Sequence, residues 1–231
     1  MMQRHAFALK IREGKQNDFR AALGRLWPDV TALLDLRGAG NFSLWNVSDL
    51  VFGYYETEQD EALSSWNGAA CRGDEAGAGN LADSLYKKIS DELAGIADWI
   101  SSPAQEMRLM YQDFGIVRTD KSLIRHRVFA THLKGPQQEE YKRRHDALVE
   151  ARGDTVNPGP DSNFSIWNAG EYIFGYDEID TSMETEETEE SRAAAIAWET
   201  RMLEIMDWYT DDVDWITGLK HPHVICLAKR A

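Results

Sequence analysis

The sequence predicts an α+β protein built of two ferredoxin-like β-α-β-β-α-β repeats in tandem, and three observations predict it. Asn41-Phe42-Ser43-Leu44-Trp45-Asn46 returns as Asn163-Phe164-Ser165-Ile166-Trp167-Asn168, a shift of 122 residues. The same shift relates Phe7-Ala8 to Phe129-Ala130, and Phe52-Gly53-Tyr54 to Phe174-Gly175-Tyr176. Within each half, short apolar runs of strand character and longer stretches of helical period follow one another in the same order. One hexapeptide could match by chance, but collinear matches along both halves point to duplication.

The elements read as follows. In the first half, residues 7–11 form a strand and residues 16–26 a helix. Two strands over 41–47 and 50–56 are joined tightly at Ser48-Asp49, then come a helix over 81–96 and a last strand over 107–111. In the second half, a strand over 128–133 leads into a helix over 137–151. There Tyr141, His145, Leu148 and Val149 recur at i, i+4, i+7 and i+8, which is one helical face. Strands over 164–168 and 172–177 meet around Ala169-Gly170. A helix over 186–209 carries a stripe of Trp198, Met202, Ile205, Met206 and Tyr209, and a strand over 223–227 ends the series. This order is the split βαβ arrangement. Beyond the hairpins the shift becomes 116, matching Asp98-Trp99-Ile100 to Asp214-Trp215-Ile216. The extra residues of the first half then lie in the Gly- and Ala-rich stretch 68–79. The polar segment 118–122 divides the chain into repeats of 1–118 and 119–231. A sheet with both helices on one face leaves its other face to be covered. We therefore expect the two sheets to face each other as an intramolecular pseudo-dimer, with further assembly left open.

Composition narrows the functions available. The 231 residues carry 39 acidic and 25 basic groups, a net charge of −14, which disfavours a phosphate backbone as partner. Residues 1–118 are at −5 and 119–231 at −9, and the five glutamates from Glu184 to Glu190 account for the difference. That run reads as a solvated helix start, with acids near the positive end of the dipole. No apolar run approaches the ~20 residues of a membrane span, and the N-terminus lacks the apolar core of a signal peptide. Cys71 and Cys226 can form neither a disulfide framework nor a closed zinc site. The expectation is a cytoplasmic protein with no membrane or nucleic-acid partner.

The chemistry concentrates on one helix, Glu139-Glu140-Tyr141-Lys142-Arg143-Arg144-His145-Asp146-Ala147-Leu148. Tyr141 and His145 project from the apolar face. A histidine there is either a core residue satisfied by a neighbour or a general acid–base group, whose ordinary pKa of ~6.5 suits proton transfer near neutrality. His221-Pro222-His223 has no evident third metal ligand, and Trp99 and Trp215 read as packing.

This helix, preceded by the Phe129-Ala130 strand and a short loop, resembles the first helix of the L-rhamnose mutarotase family. Leu26-Trp27-Pro28-Asp29 in the first half is similar to a further family segment. The resemblance implies a dimeric α+β barrel and a cofactor-free, metal-free interconversion of sugar anomers. It places the family's proton-donating histidine on His145 and its sugar-binding helix tyrosine on Tyr141. A strand tyrosine falls on Phe164, which has no hydroxyl, and a tryptophan pair falls on Trp198 and Glu199. Phe164 and Trp198 are then expected to pack on the sugar, with His132, on the adjoining strand, as a reserve site residue. In the first half the same positions are Leu23, Phe19, Phe42 and, near the second helix, Leu85 and Tyr86. No acid–base group remains there, so the second repeat is expected to be the working half, with an apolar or filled pocket in the first. Two other readings stay open: a cofactor-free monooxygenase on the same architecture, and a sugar-binding or structural relative without activity.

Overall fold

The structure, a computed structural model, describes residues 2–58, 76–101, 107–156, 158–210 and 216–230. Cys71, Trp215 and most of the Gly- and Ala-rich stretch lie outside these residues. No helix of the described residues is long and apolar enough to cross a membrane. The elements run β1 (Met2–Ile11), α1 (Gln16–Leu36), β2 (Ala39–Val47), β3 (Leu50–Glu58), α2 (Ala76–Leu93), β4 (Ala97–Trp99), β5 (Arg108–Gly115), β6 (Ile124–Leu133), α3 (Gln138–Arg152), β7 (Asp161–Ala169), β8 (Tyr172–Asp180), α4 (Glu189–Met202), β9 (Met206–Trp208) and β10 (Ile225–Arg230).

These elements form two α+β units with antiparallel sheets, ordered β10-β2-β3-β1-β4 and β5-β7-β8-β6-β9. Four strands of each, β2-β3-β1-β4 and β7-β8-β6-β9, give the ferredoxin-like order, with the short β4 and β9 as fourth, edge strands beside β1 and β6. The fourth strands are therefore not the runs near 107–111 and 223–227. Those are fifth strands, and they are exchanged: β5 pairs with β7 of the second unit and β10 with β2 of the first. The units accordingly comprise residues 1–107 with 225–231, and 108–224, rather than 1–118 and 119–231. Strand character alone does not say which edge a run joins, because both β2 and β7 offer an unpaired ladder.

The register between the repeats is also corrected. Leu9 lies opposite Trp99, and Thr131 opposite Trp208. The Ala8 N–H donates to Ser101 Oγ over 3.1 Å, and the Ala130 N–H to Thr210 Oγ1 over 2.6 Å. Ala97-Asp98-Trp99-Ile100-Ser101 thus corresponds to Met206-Asp207-Trp208-Tyr209-Thr210. The shift here is 109, not 116, and the partner of Trp99 is Trp208, not Trp215. The helical stripe over 186–209 ends early for the same reason: α4 stops at Met202, and Ile205 and Met206 belong to the turn and β9. Conversely, α1 runs ten residues beyond Leu26, through Pro28. Val30, Leu33 and Leu34 continue the buried stripe of Phe19, Ala22 and Leu26 beyond the proline, so packing of this face carries the helix on.

The repeated hexapeptide is a hairpin device. Asn41 and Asn163 take left-handed φ of 47° and 54° at a bulge, where asparagine is tolerated better than most residues. Their amides donate to Glu56 (2.8 Å) and Glu178 (3.2 Å), buried carboxylates also bonded by the Tyr54 and Tyr176 hydroxyls. Trp45 and Trp167 donate Nε1–H to Ser43 and Ser165 at 2.9 and 3.0 Å. Asn46 and Asn168 each clamp the turn by donating to two carbonyls across it.

The repeated glycines have a separate cause. A Cβ on Gly53 or Gly175 would sit 2.1 Å from Cζ of Phe7 or Phe129, so each ring lies directly on glycine backbone. Gly175→Ala should therefore lower stability by about 1–3 kcal/mol, as overpacking does. Urea unfolding would read this, and an unchanged midpoint would show that Phe129 can move aside freely.

Candidate active site in the second unit

The core of the second unit is a sandwich of the β5-to-β9 sheet face with α3 and α4. Met110, Leu133, Tyr141, Ile166, Ile173, Met202, Ile205 and Met206 are buried within it. Where the core opens toward solvent it leaves a cavity of about 230 Å³, lined among others by Tyr111, Phe129, Tyr141, His145, Phe164, Trp198, Glu199 and Trp208.

The charged residues of α3 orient this helix. Glu140 accepts from Arg143 and, over 2.7 Å, from Arg144 Nε. Arg144 is itself buried and reaches the Arg201 carbonyl at the end of α4 and the Glu204 carboxylate at 2.9 Å. The two guanidinium groups hold the Glu140 carboxyl down to about 2. Arg108 of β5 pairs with Glu139. The paired acids and arginines around the tyrosine and histidine thus tie α3 to β5 and to the end of α4, fixing which way the apolar face looks.

On that face, Tyr141 and His145 stack at 4.4 Å with 23° between planes. His145 meets Trp198 edge-on at 5.1 Å and Tyr111 at 5.4 Å, and Tyr111 meets Phe164 at 5.4 Å. His145 Nδ1 lies 3.0 Å from the Tyr141 carbonyl oxygen. A carbonyl only accepts, so Nδ1 carries the proton and Nε2 keeps its lone pair. His145 is only 4% exposed. Burial lowers its pKa to about 4, outweighing the hydrogen bond to Tyr141 that favours the cation. Burial, with Glu199 next, pushes the Tyr141 hydroxyl well above its usual range. At neutral pH the pair is therefore a neutral imidazole base and a protonated phenol.

Of the residues singled out in sequence, Tyr141, His145, Phe164 and Trp198 come together on the cavity, and Glu199 joins them in the second position of the tryptophan pair. His132 does not. Side chains alternate along a strand, so His132 points to the face opposite Phe129, where it stacks edge-on with Tyr172 at 5.5 Å and lies 3.4 Å from Glu171. Tyr111 and Trp208 escaped sequence reading because one sits on the exchanged strand and the other was masked by the mistaken register. Arg127, which also lines the cavity, could have been found by strand alternation, since it shares a face with Phe129.

The first unit offers the contrast. Its equivalent space is about 60 Å³ and is lined by Phe7, Phe19, Leu23, Phe42, Tyr86, Ile89 and Trp99 among others. With the shift of 109, the position of Trp198 is Ile89 rather than Leu85 or Tyr86. Tyr86 does line the space, and Leu85 is not among its walls. Among the described residues, no histidine or carboxylate lines it.

The chain matches the family model for L-rhamnose mutarotase over residues 4–75 and 126–221, one segment in each repeat. It belongs to the L-rhamnose mutarotase family. The match falls on both repeats, and of the corresponding positions Leu23 and His145 only the second is a histidine. A solved structure from Fusobacterium nucleatum subsp. nucleatum, described as a "putative monooxygenase", aligns with a TM-score of 0.43 at 10% identity, covering 99% of this chain and 93% of that one. A likeness so distant has no bearing on function. No curated protein matches the chain.

Proposed function

We propose that the protein is an aldose mutarotase, exchanging the α and β anomers of L-rhamnose or a similar 6-deoxy sugar in the second unit alone. The observation that carries this reading is the orientation of His145: its Nδ1–H is spent on the Tyr141 carbonyl, which leaves Nε2 as a proton acceptor on a ring that walls the cavity.

Anomer exchange needs the proton of the anomeric hydroxyl removed and one supplied to the ring oxygen. The C1–O5 bond breaks, the aldehyde carbon turns, and closure on the other face reverses both transfers. His145, neutral at rest, takes the proton of the anomeric hydroxyl and passes it to the ring oxygen as the C1–O5 bond breaks, then on closure carries it back to the anomeric oxygen; it thus acts first as a base, which inverts the donor role the family resemblance implied for the resting enzyme. Tyr141 remains protonated and serves as a hydrogen-bond donor. Trp198 and Phe164 offer apolar walls for a sugar face, and no step calls for a metal or cofactor. Phe164, in place of the family's tyrosine, lacks the hydroxyl and favours the alternative of a binding protein without activity. Magnetisation-exchange NMR on L-rhamnose, L-fucose and D-glucose decides between them. Accelerated interconversion of one 6-deoxy sugar supports the mutarotase, and uncatalysed rates for all of them would refute it.

A further inference from the structure

A second cavity, of about 180 Å³, adjoins the first and shares Phe164 and Arg127 with it as walls. Its remaining lining is Asp113, Asp161 and Asp177. The sheet register explains the grouping. Arg127 of β6 lies opposite Asp177 of β8, and Asp113 of β5 opposite Phe164 of β7. Asp161 of β7 faces Ile179, two residues along from Asp177 and therefore on its side of the sheet. Four neighbouring strands each contribute one charged group to the side that bears the His145 cavity.

Asp177 is 1% exposed, and its Oδ1 makes no hydrogen bond. Its carboxyl is otherwise bonded to the side chain of Asp161 and to the Glu178 backbone N–H. A buried acceptor without a donor is costly in a native structure and calls for an explanation. Two carboxyl groups in hydrogen-bond contact share a proton, and burial first, then Asp161, raises Asp177 to about 8. The charges then balance: Asp113 is paired with Arg152, Asp161 is offset by Arg127, and Asp177 is neutral. No group of three histidine, cysteine or acidic side chains suited to a metal ion occurs among the described residues. With that proton held between the two carboxyl groups, the row offers a donor, the Arg127 guanidinium, beside acceptors, from Asp161 and the bare Oδ1 of Asp177. That mixture matches hydroxyl groups, which both give and accept, better than a cation or an anion.

Among the described residues, the first unit has nothing comparable. The corresponding positions are His5, Ala39, Tyr55 and Arg230. His5 stacks on Tyr55 at 4.6 Å, and Arg230 turns to the Thr31 carbonyl and to Asp35. The acids accompany the histidine and are missing where it is missing.

We propose that Asp161, Asp177 and Arg127 form a subsite of the His145 cavity that clasps two neighbouring hydroxyl groups of a neutral sugar and selects the sugar by their configuration. The proposal rests on the sugar reading of the first cavity. It is tested by titrating the full chain with L-rhamnose and with its 2-, 3- and 4-deoxy analogues, following tryptophan fluorescence. The wild type should lose about tenfold in affinity for at least one analogue, as deletion of a hydrogen bond to a buried polar group does. Asp161→Asn and Asp177→Asn should each weaken L-rhamnose by about tenfold and bind that analogue no worse than the wild type does. Variants that bind every sugar as the wild type does would overturn the subsite while leaving the mutarotase reading intact. So would variants that weaken all sugars and analogues alike. A wild type that binds no sugar overturns both.

Discussion

Replacing His145 with glutamine should slow enzyme-dependent anomer exchange by about two to four orders of magnitude, the range of a general acid–base group. Glutamine has no group that titrates near neutrality, yet it can donate to the Tyr141 carbonyl that now receives Nδ1–H, so the stack with Tyr141 need not collapse. Sugar affinity should therefore change far less than the turnover rate, which separates proton transfer from binding. A loss of affinity with turnover kept would make His145 a wall residue. The acid limb of the wild-type rate carries the same information. With the folded pKa near 4, the rate should hold as pH falls from 7 to 5 and decline around 4, rather than around the ~6.5 of an ordinary histidine.

The second large effect is on stability, and it has opposite signs for two buried groups. Asp177 is held near 8, against an ordinary 3.8, so between these values the folded protein keeps a proton that the unfolded chain has lost. Stability must then fall as pH rises through this window, by up to about 1.4 kcal/mol per pH unit. Asp177→Asn removes the titration. Its melting temperature should match the wild type near pH 4 and exceed it by several degrees at pH 8 to 9. His145 behaves in the opposite sense: its folded pKa lies below the unfolded value, so stability is lost as pH falls from ~6.5 toward about 4, where the unfolded chain takes up the proton first. The two slopes offset one another between about 4 and 6.5, and only the Asp177 loss remains above that. Thermal melts of wild type and Asp177→Asn from pH 4 to pH 9 read the difference directly. A constant gap across this range would mean that Asp177 titrates normally.

The duplication was legible because hairpin chemistry leaves a dense local mark. Asn41, Ser43, Trp45 and Asn46 each make a bond within a few residues or across one turn, and Gly53 must lie under Phe7; all recur in the second half. The exchange of β5 and β10 was not legible, since an apolar run fits the free edge of either sheet. Neither was the register of the short fourth strands: Asp-Trp occurs at Asp207-Trp208 and again at Asp214-Trp215, and only pairing with Thr131 decides between them. On the helices, spacing put Tyr141 and His145 on one face of α3 and Trp198 in an apolar stripe of α4, and the family resemblance gave them their site roles. The strand-borne part did not follow from spacing. Asp177 shares a face with Gly175, and Arg127 with Phe129, but that alternation passes unnoticed where the adjoining Tyr176 and Glu178 are fully buried as well. The resting protonation of His145 depends on burial and on the Tyr141 carbonyl, which no one-dimensional pattern records.

The central claim is that one repeat of two works, and works through His145. Magnetisation exchange between the anomers of L-rhamnose, measured side by side on wild type, His145→Gln and Leu23→Ala, tests it most directly. The structure predicts fast exchange with the wild type and with Leu23→Ala, whose change lies in the apolar space of the first unit, and near-uncatalysed exchange with His145→Gln. Equal rates for wild type and His145→Gln would contradict it.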